Sequence, residues 1–114
     1  METRAGDPGA FARFDLNRVP SPAFVVDAAK IRANLSVLRR IVDASGARVL
    51  AALKAFSMWP LGATVAHYLD GVCASGLYEA KLGREEYGGE VATYCAGYKE
   101  ADLPEIAALS DHLI

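Results

Sequence analysis

At 114 residues, with 53% hydrophobic and 23% charged side chains, the chain has the length of one compact domain and a globular rather than disordered composition. A net charge of −2 supplies no basic field, and Arg39-Arg40 is too short a run for a nucleic-acid or anionic-membrane patch. No apolar run approaches the roughly 20 residues needed to span a bilayer. Met1 to Asn17 lacks the apolar stretch of a signal peptide. The expectation is a cytoplasmic protein with neither nucleic acid nor membrane as partner.

The elements alternate as strand and helix. A predicted strand, Ala23-Phe24-Val25-Val26, ends at Asp27, whose carboxylate can cap the helix that follows. In that helix Ile31, Leu35, Leu38 and Val42 recur at spacings of four, three and four, which makes one apolar stripe. Gly46 suits a left-handed C-cap. Val49-Leu50-Ala51-Ala52-Leu53 is apolar at every position, as expected of a parallel strand covered by helices, and it runs directly into Lys54. Pro60 is placed for the first turn of a helix carrying Leu61, Val65, Tyr68 and Leu69.

Gly71 to Ala74 is the third predicted strand, with Ser75 as the cap of the next helix and Glu79 suited to the positive end of its dipole. Gly88-Gly89 reads as a turn, and Val91 to Cys95 as the fourth strand. Asp102 and Glu105, three apart, resemble a capping box opening a helix through Ile106 and Leu109. His112-Leu113-Ile114 begins a further strand, and the chain reads as truncated there. Strand centres near Val25, Leu50, Val72, Ala92 and Leu113 recur every 20 to 25 residues, the rhythm of βα units. Rhythm alone leaves a doubly wound sheet and a (β/α)₈ barrel both open. Cys73 and Cys95 stand far apart without a Cys-x-x-Cys or Cys/His cluster, so no metal site is expected and both read as small buried thiols on strands.

Lys54 is the residue with the most chemistry to offer. The C-terminal end of a parallel strand is where βα folds build their sites, and period two puts Leu50, Ala52 and Lys54 on one face. Burial there would favour the free amine, which can attack an aldehyde and form a Schiff base. A lysine at a strand end can equally snorkel to solvent. Ser75, beyond the third strand, would stand near the same end, as would Tyr98 and Lys99 after the fourth.

The segment Leu50-Ala51-Ala52-Leu53-Lys54-Ala55-Phe56-Ser57-Met58-Trp59 resembles the cofactor-lysine motif of the fold-type III pyridoxal-phosphate enzymes, in particular the carboxynorspermidine (carboxyspermidine) decarboxylases. Ala74-Ser75-Gly76-Leu77-Tyr78-Glu79, Gly88-Gly89-Glu90-Val91 and Tyr98-Lys99-Glu100 are similar too. The resemblance implies an α/β fold: the N-terminal part of a (β/α)₈ barrel of the alanine racemase type, cut off after about three to four βα units. Residues 1–18 would be an N-terminal segment and residues 19–114 the partial cofactor-binding domain, lacking the second half of the barrel and a β-rich domain that the strand over Phe24 to Asp27 would join. It further implies pyridoxal 5'-phosphate as cofactor, Lys54 as the catalytic and cofactor-holding residue, Ser75 as a second cofactor contact, and a homodimeric parent enzyme. Such an enzyme would release carbon dioxide from carboxynorspermidine or carboxyspermidine, giving norspermidine or spermidine.

Decarboxylases of diaminopimelate, ornithine or arginine, or an amino-acid racemase, would use the same lysine on other substrates. A flavodoxin-like binding module would also fit this length, but it would want clustered acids at strand ends, where only Asp27 stands. A barrel of this type uses about 250 residues and often grips phosphate after its last strands. Purified, mass-verified 114-residue protein is therefore expected to release no carbon dioxide from carboxynorspermidine; measurable turnover would overturn that.

Overall fold

The computed structural model describes Phe11 and residues 13–114, so most of the expected segment 1–18 lies outside the described residues. Helix α1 (Ala28–Ser45) starts where Asp27 accepts hydrogen bonds from the amides of Ala29 and Lys30 at 2.9 and 3.1 Å. It stops at Gly46, whose φ of 70° is the left-handed cap anticipated above, with its N–H bonded to the Val42 carbonyl. Leu35 and Val42 are buried on its inner stripe, but Leu38 stays 37% exposed at the stripe's margin.

Four parallel strands follow: β1 (Leu50–Ala52), β2 (Gly71–Ala74), β3 (Glu90–Thr93) and β4 (His112–Leu113). Between them come α2 (Gly62–Tyr68), α3 (Leu77–Leu82) and α4 (Leu103–Leu109). The strands lie side by side in chain order, β1-β2-β3-β4. That order decides what the rhythm left open. A doubly wound sheet reverses its strand order at a switch point, whereas right-handed crossovers that always advance in one direction put every connecting helix on the same face. The sheet is thus part of a barrel wall, and the flavodoxin-like alternative is excluded.

Burial records the two faces. Leu53, Val72, Ala74 and Val91 are at most 1% exposed and form one core with Leu35, Val65, Leu69, Ala80 and Tyr87 from the helices. Burying each of the larger aliphatic side chains contributes about 1.5–3 kcal/mol. Thr93, also fully buried, satisfies its hydroxyl against Ser110 Oγ at 2.7 Å. The alternate residues Leu50, Ala52, Cys73 and Ala92 occupy the opposite face, which no described helix covers. Gly83 allows the close approach of α3 to the sheet, since a Cβ there would stand 2.5 Å from Val72 Cγ2. From Gly83 to Tyr87 the helix widens into a π-turn closed by Gly88 N–H on Gly83 O, and the turn at Gly88-Gly89 leads into β3.

Several local expectations fail for tertiary reasons. Residues 23–27 form no strand, because among the described residues nothing pairs with them, and Phe24 is 95% exposed. Ser75 does not cap α3; its N-cap is Gly76 and no side chain caps it. Asp102 does not cap α4 either, because a 3₁₀ turn (Glu100–Asp102) precedes that helix, and Glu105 instead pairs with Lys81 at 2.7 Å. The two thiols are only half-buried: Cys73 on the helix-free face of β2, and Cys95 beyond β3 with Sγ against Gly97 O at 2.9 Å.

The N-terminal ends of the strands are laced by charge. Asp70, just before β2, accepts from Val49 N–H at 2.9 Å, and Asp111, just before β4, accepts from Val91 N–H at 2.8 Å. Each acid thus caps the strand preceding its own. Arg84 reaches Asp111 Oδ2 at 2.7 Å and the Leu109 carbonyl at 2.5 Å. Glu90 stands between Arg48 at 2.5 Å and His112 at 2.7 Å; the Arg48 contact is off the hydrogen-bonding direction, so it acts as an ion pair only.

The Val91 amide, followed by Arg84, holds the Asp111 carboxyl below the usual aspartate range. A pKa lowered by folding contributes stability in full above the unfolded value, about 4, and loses it as pH falls through the depressed one. Asp111→Asn should therefore melt below the wild type near neutrality, with the two melting curves converging in acid; a constant offset at all pH values would contradict this. Burial also pushes the Tyr87 phenol up, and its hydroxyl has no partner among the described residues. An unsatisfied buried hydroxyl costs about 1–3 kcal/mol, so Tyr87→Phe should melt at the same temperature or higher.

Candidate functional site

β1 delivers Lys54 through a tight turn. Leu53 N–H still bonds across to Cys73 O at 3.0 Å, after which Ala55 and Phe56 both donate back to Ala52 O at 3.0 and 3.2 Å. Leu53 is buried in the helix-packed core, whereas Lys54, in the turn past β1, is exposed. This differs from the buried amine expected for the end of so apolar a strand.

Register assembles the neighbours. Ala52, Cys73, Ala92 and His112 are consecutive partners across the sheet. Past the paired residues, Lys54, Ser75 and Tyr94 each follow the C-terminal end of their strand, β1, β2 and β3 respectively. Tyr94 N–H donates to Ala74 O at 2.9 Å, which continues the β2–β3 ladder to that level, and the Tyr94 side chain is 52% exposed. The row beneath is small in three of its four members, alanine, cysteine and alanine, and leaves space over the sheet for a flat ring. An amine, a hydroxyl and a phenol above small side chains are a donor set that fits a planar aldehyde cofactor.

Ser75 is exposed, and its amide donates to Glu79 Oε2 at 2.7 Å. Sequence reasoning assigned Glu79 to the helix dipole and missed this bond; an acid at the third helical position, poised to reach back, was the available signal. Tyr98, expected near the same mouth, is committed elsewhere: its hydroxyl shares its one proton between the carbonyls of Thr93 and Ile114, at 3.0 and 2.8 Å, pinning the loop after β3. Beyond Lys54, the segment Ala55 to Pro60 and the side chains of Phe24 and Val26 line an open apolar cleft of about 640 Å³. His67 is exposed on α2 and meets the Tyr68 ring edge-on at 5.0 Å, away from this group. No described helix is long and apolar enough to cross a membrane.

No protein-family model matches the chain. It is 34% identical over 96 residues to a carboxynorspermidine/carboxyspermidine decarboxylase of Herminiimonas arsenicoxydans, covering 84% of this chain and 26% of that protein. A carboxynorspermidine/carboxyspermidine decarboxylase of Campylobacter jejuni is 38% identical over 97 residues, covering 85% of this chain and 25% of that one. A carboxyaminopropylagmatine decarboxylase of Synechocystis is 37% identical over 98 residues, with 86% and 25% covered. Among solved structures, that of carboxynorspermidine decarboxylase complexed with norspermidine from Campylobacter jejuni superposes with a TM-score of 0.80 at 39% identity, over 83% of this chain and 26% of that one. The superposed part is the N-terminal one. The chain spans about a quarter of the length of these relatives. With identity of this level along most of its length and the same strand-by-strand architecture, it belongs to the carboxynorspermidine/carboxyspermidine decarboxylase family and corresponds to the N-terminal quarter of its members.

Proposed function

We propose that the chain forms the first part of a pyridoxal 5'-phosphate-dependent carboxy-lyase, residues 19–114 being its portion of the cofactor-binding barrel. Lys54 is the attachment point for the cofactor and Ser75 a second contact. The observation that carries this is the position of Lys54: exposed in the turn just past the C-terminal end of β1, the end of the sheet at which Ser75 follows β2, with small Ala52 and Cys73 as the last paired residues of those two strands. When bound, the cofactor supplies an electron sink for the pair left behind as carbon dioxide departs. Lys54 Nζ offers the primary amine for covalent attachment, and Ser75 Oγ offers one hydroxyl for hydrogen bonding.

The substrate class follows from the relatives: a polyamine bearing an α-carboxylate, carboxynorspermidine or carboxyspermidine, with norspermidine or spermidine as product. The Synechocystis relative supports a second reading within the class, in which the substrate is carboxyaminopropylagmatine. A homodimeric, cytoplasmic parent belongs to the same proposal, as does the lack of a nucleic-acid partner, which alone of the three is supported by the net charge of −2.

The four lysines of the chain make a built-in control. Lys81 is hydrogen-bonded to Glu105, which pushes its pKa up and keeps it charged. Incubation with pyridoxal 5'-phosphate followed by borohydride reduction and peptide mass mapping should place the adduct at Lys54 in preference to Lys30, Lys81 and Lys99. Lys54→Ala should abolish the preferred adduct. Equal labelling of all four lysines would sink the proposal.

A further inference from the structure

We infer, on the reading that Lys54 is the cofactor's attachment point, that Glu79 is a positioning residue for this site: it holds the Ser75 amide and thereby sets where the Ser75 hydroxyl stands relative to Lys54. A serine just ahead of a helix ordinarily turns its own side chain onto the helix amides. Here the bond runs the other way. Glu79 Oε2 reaches back from the first turn of α3 and takes the Ser75 N–H at 2.7 Å, a short bond of the charge-assisted kind.

Two consequences follow for the site. The Ser75 hydroxyl is relieved of capping, and among the described residues it makes no hydrogen bond, so it is available to a ligand. Ser75 also lies one residue past β2, where its amide has no partner in the sheet ladder. The Lys54 side of the row is fixed differently, by Leu53 N–H on Cys73 O and by the turn closed on Ala52 O. Glu79 therefore supplies on the Ser75 side the restraint that backbone bonding supplies on the Lys54 side. Glu79 itself is half-buried and sits on the helix, so it acts through Ser75 rather than on any bound group.

The test is a double-mutant cycle read by reductive trapping on the whole chain. At a pyridoxal 5'-phosphate concentration that half-labels Lys54 in the wild type, Glu79→Ala should need a roughly tenfold higher concentration for the same labelling, in line with the loss of one hydrogen bond to a charged group. Glu79→Gln should recover most of this, because its amide oxygen still accepts from Ser75 N–H. Ser75→Ala should show a comparable loss, and Ser75→Ala/Glu79→Ala no more than the larger single loss, since both substitutions disable the same hydroxyl. Melting curves of each variant correct the labelling for the folded fraction. Unchanged labelling in Glu79→Ala, or losses that add in the double variant, would overturn the positioning role while leaving Lys54 as the attachment point. A wild type with no preference for Lys54 would overturn both.

Discussion

The handedness of the βα crossover is the constraint on which the rest of this structure depends. A right-twisted strand feeding a right-handed crossover packs its helix on one defined side of the sheet. Because each strand is laid down beside the one before it, without reversal, that side is the same for every unit. The apolar residues facing the helices, Leu53, Val72, Ala74 and Val91, are then forced into a single core, and the intervening ones are left on an uncovered face. Lys54 is exposed for this reason and not because its strand is polar.

The two ends of the strands do different work. At the N-terminal end, Asp70 and Asp111 tie neighbouring strands by accepting from amides that lack ladder partners, Arg84 pairs with Asp111, and Arg48 pairs with Glu90. Such contacts hold register and leave little for chemistry. At the C-terminal end the last paired residues on the helix-free face, Ala52, Cys73 and Ala92, are small, and polar Lys54, Ser75 and Tyr94 follow the ends of β1, β2 and β3. This division of stability and chemistry between opposite ends is general in (β/α) barrels. Its presence in so short a stretch of chain agrees with the similarity to the decarboxylases, which extends over this same sheet.

Much of the architecture was legible. The approximate positions of β1 to β4 and the Asp27 and Gly46 caps follow from local chemistry, because capping, turn geometry and apolar patterning act over a few residues. The failures share one cause. Phe24 to Val26 has the composition of a strand but no partner, since pairing is non-local. Ser75 and Asp102 have the composition of caps, yet Glu79 takes the Ser75 amide, and Asp102, although at the N-cap position of α4, lies in a 3₁₀ turn and makes no side-chain capping bond. A cap motif records what a side chain is able to do, and the surrounding geometry decides whether it does so.

The family resemblance was carried by contiguous residues, the Leu50 to Trp59 segment above all, and it is from this that the role proposed for Lys54 comes. The sequence by itself determined the repeating βα rhythm, because apolar periodicity is a one-dimensional property. Only the tertiary structure decided between a barrel wall and a doubly wound sheet, since strand order is a matter of which edges meet in space. It alone brought Ser75 and Tyr94, 21 and 40 positions away from Lys54 along the chain, to the same end of one sheet as that lysine, because parallel strands all finish on one side.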